Sequence, residues 1–280
     1  MTNAIEVHDL SKSYKKSGFA LKDISFNLPS GCVMGIVGRN GAGKTTLIKI
    51  LLDIFPPDKG SFTILEENDI AKAKEEVGVV FDEILIGNSF IAEKIGKWAK
   101  NAWKAWDENL YQELLKKYEI PTDITIGKLS KGQKMKVQIA IALAHHPKLL
   151  VLDDATAGLD PLVRDEVLDM INEFARDENH SVLISSHITG DLEKVCDYIA
   201  FMKKGKLELV DEKDKIISQY GILQCTKEVF EGLLPEAILS KKESDYGIEA
   251  VVRKNMVPES MKLLPINLEE IFISLMMKEE

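Results

Sequence analysis

Gly38-Arg39-Asn40-Gly41-Ala42-Gly43-Lys44-Thr45-Thr46 is the stretch on which the reading of this chain turns. A glycine, four residues, then Gly-Lys-Thr is the spacing of a phosphate-binding loop. The flanks agree with it. Val33 to Val37 is a continuous apolar run and reads as a buried strand. Residues 45–54 read as a helix, with Leu47, Ile50, Leu51 and Ile54 at helical spacing. Gly38, Gly41 and Gly43 lack a Cβ, so the backbone between them can curl and turn N–H groups inward. With Asn40, Ala42 and Thr46 they form the cradle, and the helix start adds the positive end of its dipole. Lys44 can reach the β- and γ-phosphates, and the Thr45 hydroxyl can ligate Mg²⁺.

Outward from the loop, residues 4–28 predict two or three short strands around Lys15-Lys16-Ser17-Gly18, with Leu21, Ile24, Phe26 and Leu28 alternating. Pro56 to Gly60 is a breaker, and Ser61–Leu65 and Val77–Phe81 read as strands. Residues 83–147 turn helical. Ala99, Trp103, Trp106 and Leu110 sit at i, i+4, i+7 and i+11, which predicts one helix face turned to the core. A further helix opens at Leu129-Ser130-Lys131-Gly132-Gln133 and runs to about Ala144. His145 and His146 then fall in its last turn, where they suit the dipole; with no third ligand nearby they do not read as a metal site. Leu149–Asp153 is a buried strand ending in a carboxylate. Asp160-Pro161 caps the next helix, Val182–Ser186 is a strand ending at His187, and 198–210 is a hairpin about Lys204-Gly205.

Alternating strands and helices imply an α/β fold with a parallel sheet covered on both faces. The 280 residues suffice for one large domain and a small appendage, and 45% hydrophobic with 29% charged residues is ordinary globular composition. A net charge of −9 argues against a nucleic-acid partner. Cys32, Cys196 and Cys225 are scattered, which suggests a reducing compartment. Neither a signal peptide nor an apolar run of membrane-spanning length is read, so any membrane span belongs to another chain.

Taken together, five motifs in order make the chain resemble the ATP-binding subunits of ABC transporters over residues 4 to about 215. They are the phosphate loop, Leu-Ser-Lys-Gly-Gln at 129–133, Leu-Leu-Val-Leu-Asp-Asp at 149–154, Gly-Leu-Asp at 158–160 and Ser-Ser-His at 185–187. The resemblance implies a P-loop NTPase (RecA-like) core at 1–215. That core would carry an antiparallel β subdomain and a helical subdomain at about 83–147, with an appendage at 216–280. It implies ATP and Mg²⁺ as ligands. Tyr14 would stack on adenine, Asp153 would hold Mg²⁺, and His187 would contact the γ-phosphate. Ser130, Gly132 and Gln133 would bind nucleotide on a second ABC ATPase, in a homodimer or heterodimer with Asp160 at the interface. A membrane-spanning permease would hold the dimer on the cytoplasmic face of the cell membrane.

Two positions depart from the family. The presumed general base, normally Glu, is Asp154, one methylene shorter, and a misplacement of about 1 Å can cost on the order of 100-fold in rate. Slow hydrolysis is therefore expected. The Gln that usually follows the second core strand is Asp82, which adds a charge near the phosphates unless Mg²⁺ lies between, so Asp82 joins Thr45 and Asp153 as a candidate Mg²⁺ ligand; Glu83 and Asn88 are neighbouring candidates for the role. In the tail, Leu268-Glu269-Glu270-Ile271-Phe272 resembles the Leu-Glu-Glu-x-Phe ending of bacterial export-type ATPases. Two other readings stay open: a nucleotide-gated module with little turnover, and a soluble ABC protein unconnected with transport.

Overall fold

The computed structural model describes residues 2–14, 18–84, 86–245 and 247–277. The chain opens with β1 (Asn3–Tyr14), β2 (Phe19–Pro29) and β3 (Val33–Val37), which runs into α1 (Lys44–Leu51). Next come β4 (Lys59–Ile64), α2 (Ile70–Ala73), β5 (Val77–Phe81), α3 (Gly96–Ala99), α4 (Glu108–Lys117), α5 (Lys131–Leu143) and β6 (Leu149–Asp153). α6 (Pro161–Phe174), β7 (Ser181–Ser186), α7 (Thr189–Val195), β8 (Tyr198–Lys203) and β9 (Lys206–Glu212) follow. The last section holds α8 (Lys213–Gln219), β10 (Tyr220–Cys225), α9 (Lys227–Glu231), β11 (Ile238–Ser244), β12 (Gly247–Arg253) and α10 (Leu268–Met277).

A six-stranded sheet in the order β5-β6-β7-β3-β8-β9 organises everything else. Its first five strands are parallel and β9 closes the edge antiparallel. Every residue of β3, β6 and β7 is buried, as continuous apolar runs covered on both faces must be. Alternate residues go to opposite faces. Val33, Val37, Leu150, Leu152, Val182 and Ile184 pack with α5, α6 and α7, while Met34, Ile36, Leu149, Val151 and Leu183 pack with α1 and the sheet β2-β1-β4. In register, Phe81 pairs with Asp153 and Asp153 with Ser185, while Val37 pairs with Ser186. The carboxyl ends of β5, β6, β7 and β3 therefore lie side by side, the edge where α/β sheets place their ligands.

Three expectations need correction. Residues 4–28 form two long strands, not two or three short ones, because β1 carries bulges that let one strand pair with both β2 and β4; the turn expected at Lys15-Lys16-Ser17 lies outside the described residues. α1 stops at Leu51 because Asp53 turns left-handed (φ 52°), which leaves Ile54 exposed. The stripe Ala99–Leu110 is not one helix. α3 ends at Ala99, and Asp107 starts α4 afresh by accepting the Leu110 N–H at 3.0 Å. Cap chemistry overrides the periodicity there. Trp103 and Trp106 instead stack on each other, 6.2 Å between ring centroids, and Trp103 lies 4.9 Å from His145. His145 is buried between the carbonyls of Ile141 and Val77, and burial pushes its pKa down, so it sits neutral and does not serve the dipole as a cation.

Past α8, β10, β11 and β12 build a separate antiparallel sheet, β10-β12-β11, over Leu223, Ile248, Ala250 and Val252. α10 ties it back to the main core through Leu268, Ile271 and Phe272, whose ring stacks on Phe201 at 6.0 Å. Asn267 and Glu270 cap α10 reciprocally, side chain to backbone at 2.9 and 3.0 Å. Much of the Leu-Glu-Glu-x-Phe pattern thus has a local structural cause.

The β8–β9 turn reaches across to the phosphate loop. Gly205 N–H donates to the Ala42 carbonyl at 2.9 Å, and the Gly205 carbonyl accepts from Lys22 N–H at 2.9 Å. Gly205 is left-handed (φ 79°), and a Cβ there would collide with the Ala20 carbonyl.

Candidate nucleotide site

The loop between β3 and α1 is shaped by glycine. Gly43 sits at φ 117° with Leu21 and Phe19 so close that a Cβ would stand 2.7 and 2.9 Å from them. Gly41 (φ 81°) faces open space. No side-chain hydrogen bond caps α1 and no acidic residue lies in its first turn, so its leading N–H groups stay available to an anion. Above them opens a cleft of about 580 Å³, lined by Tyr14, by residues 40–46, by Asp154, and by Phe19, Lys49 and Phe55. Tyr14 lies 6.5 Å from both Phe19 and Phe55, which gives the cleft an aromatic end and a phosphate-sized polar end. Phe19, Lys49 and Phe55 belong to no motif; they come from a hairpin, a helix and the link that follows it, which only the tertiary fold assembles.

Lys44 is 4% exposed, and its Nζ donates to the Gly38 carbonyl at 2.8 Å. A buried ammonium needs a counter-charge, and Asp154 Oδ2 supplies it at 3.6 Å. The other oxygen of Asp154 lies 3.1 Å from His187 Nδ1. Asp154 is the first residue past β6 and turns left-handed (φ 49°), a conformation Asp tolerates better than most. Its N–H donates to the carbonyl and hydroxyl of Ser185, both at 3.1 Å, and the Ser185 hydroxyl donates to Asp153 Oδ1 at 2.6 Å. Ser185, for which the sequence suggested no separate role, thereby orients the Asp153 carboxylate and pins the backbone of Asp154. The chain of hydrogen bonds and one ion pair runs Gly38–Lys44–Asp154–His187 across three strand ends.

The remaining candidates lie elsewhere. Ser130 caps α5 in a closed box: its hydroxyl accepts the Gln133 N–H at 3.2 Å, and its own N–H donates to Gln133 Oε1 at 2.9 Å. A Cβ on Gly132 would collide with Val163, whose N–H donates to Asp160 Oδ1 at 3.1 Å. The starts of α5 and α6 thus form a second patch, and its residues do not line the cleft. Neither does Asp82, whose Oδ1 is held by Lys131 Nζ at 2.7 Å. Among the described residues no group of three or more acidic, His or Cys side chains is assembled for a metal. That suits Mg²⁺, which takes one or two protein oxygens and completes its shell with phosphate and water. Thr45 and the buried Asp153 fit that role.

An ABC transporter family matches residues 21–157. The bacitracin transport ATP-binding protein of Bacillus licheniformis is 35% identical over 74% of this chain and 69% of its own. The chain belongs to the ABC transporter ATP-binding proteins. The ABC transporter ATP-binding protein YtrB of Bacillus subtilis is 28% identical over 96% of this chain and 97% of its own, so that likeness runs through the C-terminal sheet as well. The structure of cbiO1 from Clostridium perfringens, part of the ABC transporter complex cbiONQ, superposes with a TM-score of 0.66 at 27% identity over 78% of this chain and 92% of that one. Proteins named for methionine import also match. Membership in this ABC family therefore brings ATP binding and hydrolysis in general and leaves the direction of transport open.

Proposed function

We propose that this chain is the ATP-hydrolysing subunit of an ABC exporter, working as a dimer beneath a separate membrane-spanning permease. The observation that carries the reading is the Lys44–Asp154–His187 chain laid over an uncapped glycine cradle. The N–H groups of residues 41–46 bind the phosphates, Lys44 meets their outer charge, and Tyr14 offers a face to the base. Mg²⁺, held by Thr45 and Asp153, would neutralise charge as the terminal phosphoryl group departs. Asp154 accepts a proton from the attacking water, and His187 holds the carboxylate in place. Ser130 and Gly132, kept apart from their own cleft, serve nucleotide on a second subunit. Among the described residues no helix is long and apolar enough to cross a membrane. Docking on the inner face of the membrane therefore falls to the permease. Export rests on the tail pattern Leu268-Glu269-Glu270-Ile271-Phe272.

A second reading, a nucleotide-gated module with little turnover, draws on the engagement of both Asp154 oxygens by Lys44 and His187. Steady-state phosphate release by the purified chain, with Lys44→Ala as the control, separates the two. Turnover that vanishes with Lys44→Ala supports the enzyme; none in the parent refutes it. Direction is tested by co-purifying the permease and following cargo in inside-out vesicles.

A further inference from the structure

Lys131 lies between Ser130 and Gly132, yet it points away from both. Its ammonium reaches Asp82 Oδ1 at 2.7 Å. Asp82 follows the last residue of β5, Phe81, whose carbonyl accepts from Gln138 Nε2 at 3.1 Å, two turns further along the same α5. α5 is therefore fastened to the end of β5 twice, once by a buried amide and once by an ion pair. The ammonium also stands beside the loop between Asp154 and Asp160: a Cβ on Gly158 would be 3.4 Å from Lys131 Nζ. One cation thus binds the loop after β5 and stands beside the loop after the Asp154 carboxylate, while its backbone belongs to the turn that carries Ser130.

Both members of the pair are about half exposed, 45% and 44%. A pair this exposed adds little to folding, so a purely structural role explains little. Its charge bookkeeping explains more. Asp82 places a negative group beside the strand end of Asp153, where phosphates would be repelled; Lys131 cancels that charge at hydrogen-bond distance. We propose that Lys131 is a positioning residue for the nucleotide cycle: it neutralises Asp82 and ties the end of β5 to the Ser130–Gly132 turn. This inference rests on the ATPase reading above.

The test uses the full chain, Mg²⁺-ATP, and the variants Lys131→Gln, Asp82→Asn and both together. All 3 tryptophans, Trp98, Trp103 and Trp106, lie in the helical section before α5, so their emission reports that section without reference to turnover. Lys131→Gln should slow hydrolysis roughly tenfold, the middle of the range for coupled contacts, and abolish the ATP-induced change in emission. ATP affinity should fall several-fold, because the uncancelled Asp82 repels the phosphates, and recover with Asp82→Asn, while the melting temperature stays unchanged, as for an exposed pair. Adding Asp82→Asn should restore rate and emission to within about threefold of the parent, because Asn and Gln keep a neutral hydrogen bond in the same place. Additive losses overturn the proposal, and so does an unrescued Lys131→Gln, which would mean that Lys131 meets nucleotide itself. A parent that binds no ATP overturns the ATPase reading and this inference together; a parent that binds and hydrolyses ATP while Lys131→Gln changes nothing overturns this inference alone.

Discussion

Asp154→Asn should move stability and nucleotide affinity in opposite directions. In the free protein Asp154 is the counter-charge of a buried Lys44 at 3.6 Å and lies 3.1 Å from His187 Nδ1. At an effective dielectric of about 20, the 3.6 Å pair carries roughly 4–5 kcal/mol of gross attraction. Desolvation offsets most of it, which leaves the roughly 1.5–3 kcal/mol typical of a hydrogen bond to a charged group. Asn keeps the shape and loses the charge, so the free protein should melt lower by about 2–6 °C. Phosphates, by contrast, compete with Asp154 for Lys44 and are repelled by it. Removing that competitor should tighten ATP binding about tenfold, a gain of about 1.4 kcal/mol. Turnover should fall by about 10² to 10⁴, the worth of a general base. Differential scanning calorimetry of the free protein and titration calorimetry with Mg²⁺-ATP give the two signs directly. A variant in which stability and affinity fall together would refute the reasoning, because Lys44 would then owe nothing to Asp154. Asp154→Glu should raise turnover if reach is limiting, at a cost of about 1 kcal/mol for placing Glu at φ 49°.

Ser130→Arg, made in the Asp154→Asn background, should abolish an ATP-dependent dimer seen by light scattering while each monomer still binds ATP; a dimer indifferent to the change counts against the second patch. Ser185→Ala removes the 2.6 Å donor to Asp153 and should raise the Mg²⁺ needed for half-maximal turnover several-fold, with about 1–3 kcal/mol lost in denaturant unfolding; an unchanged Mg²⁺ requirement would mean Asp153 needs no such support. For His145, burial holds the folded pKa below the ordinary 6.5, so protonation favours the unfolded chain. Its contribution is whole above that value and shrinks as pH falls through it. The denaturant midpoint should drop between neutral pH and pH 5.5 in the parent and drop less in His145→Gln.

The phosphate loop was legible because its motif is also a conformation: three glycines, a preceding buried strand and a following helix leave little freedom. Asp154 and His187 were legible as candidates but not as neighbours. Their 3.1 Å contact depends on β7 lying beside β6, a pairing between strands about 30 residues apart that no local pattern announces. The same register gives Ser185 its bonds to the Asp153 carboxylate and the Asp154 N–H, so its role stayed hidden. Phe19 and Phe55 reach the cleft from opposite sides of the loop in sequence, and nothing in either segment marks them. The tryptophan stripe misled for the opposite reason: a helical period was present, but Asp107 competes as a cap and wins. Asp82 looked like a metal candidate because its distance to Lys131, 49 positions on, becomes short only when α5 lies along β5.

The link at Gly205 has a consequence for how the loop meets its ligand. Ala42 is fixed through its own carbonyl to a hairpin that is in turn fixed to Lys22 in β2, so two sheets share one peptide group with the cradle. Loosening the loop at Ala42 therefore means breaking its bond to the hairpin as well. Part of the loop's ordering entropy is then settled when the chain folds rather than when phosphates arrive. In hydrogen exchange, the Gly205 amide should then open with the sheets rather than with the surface loops, although it sits at the tip of a turn.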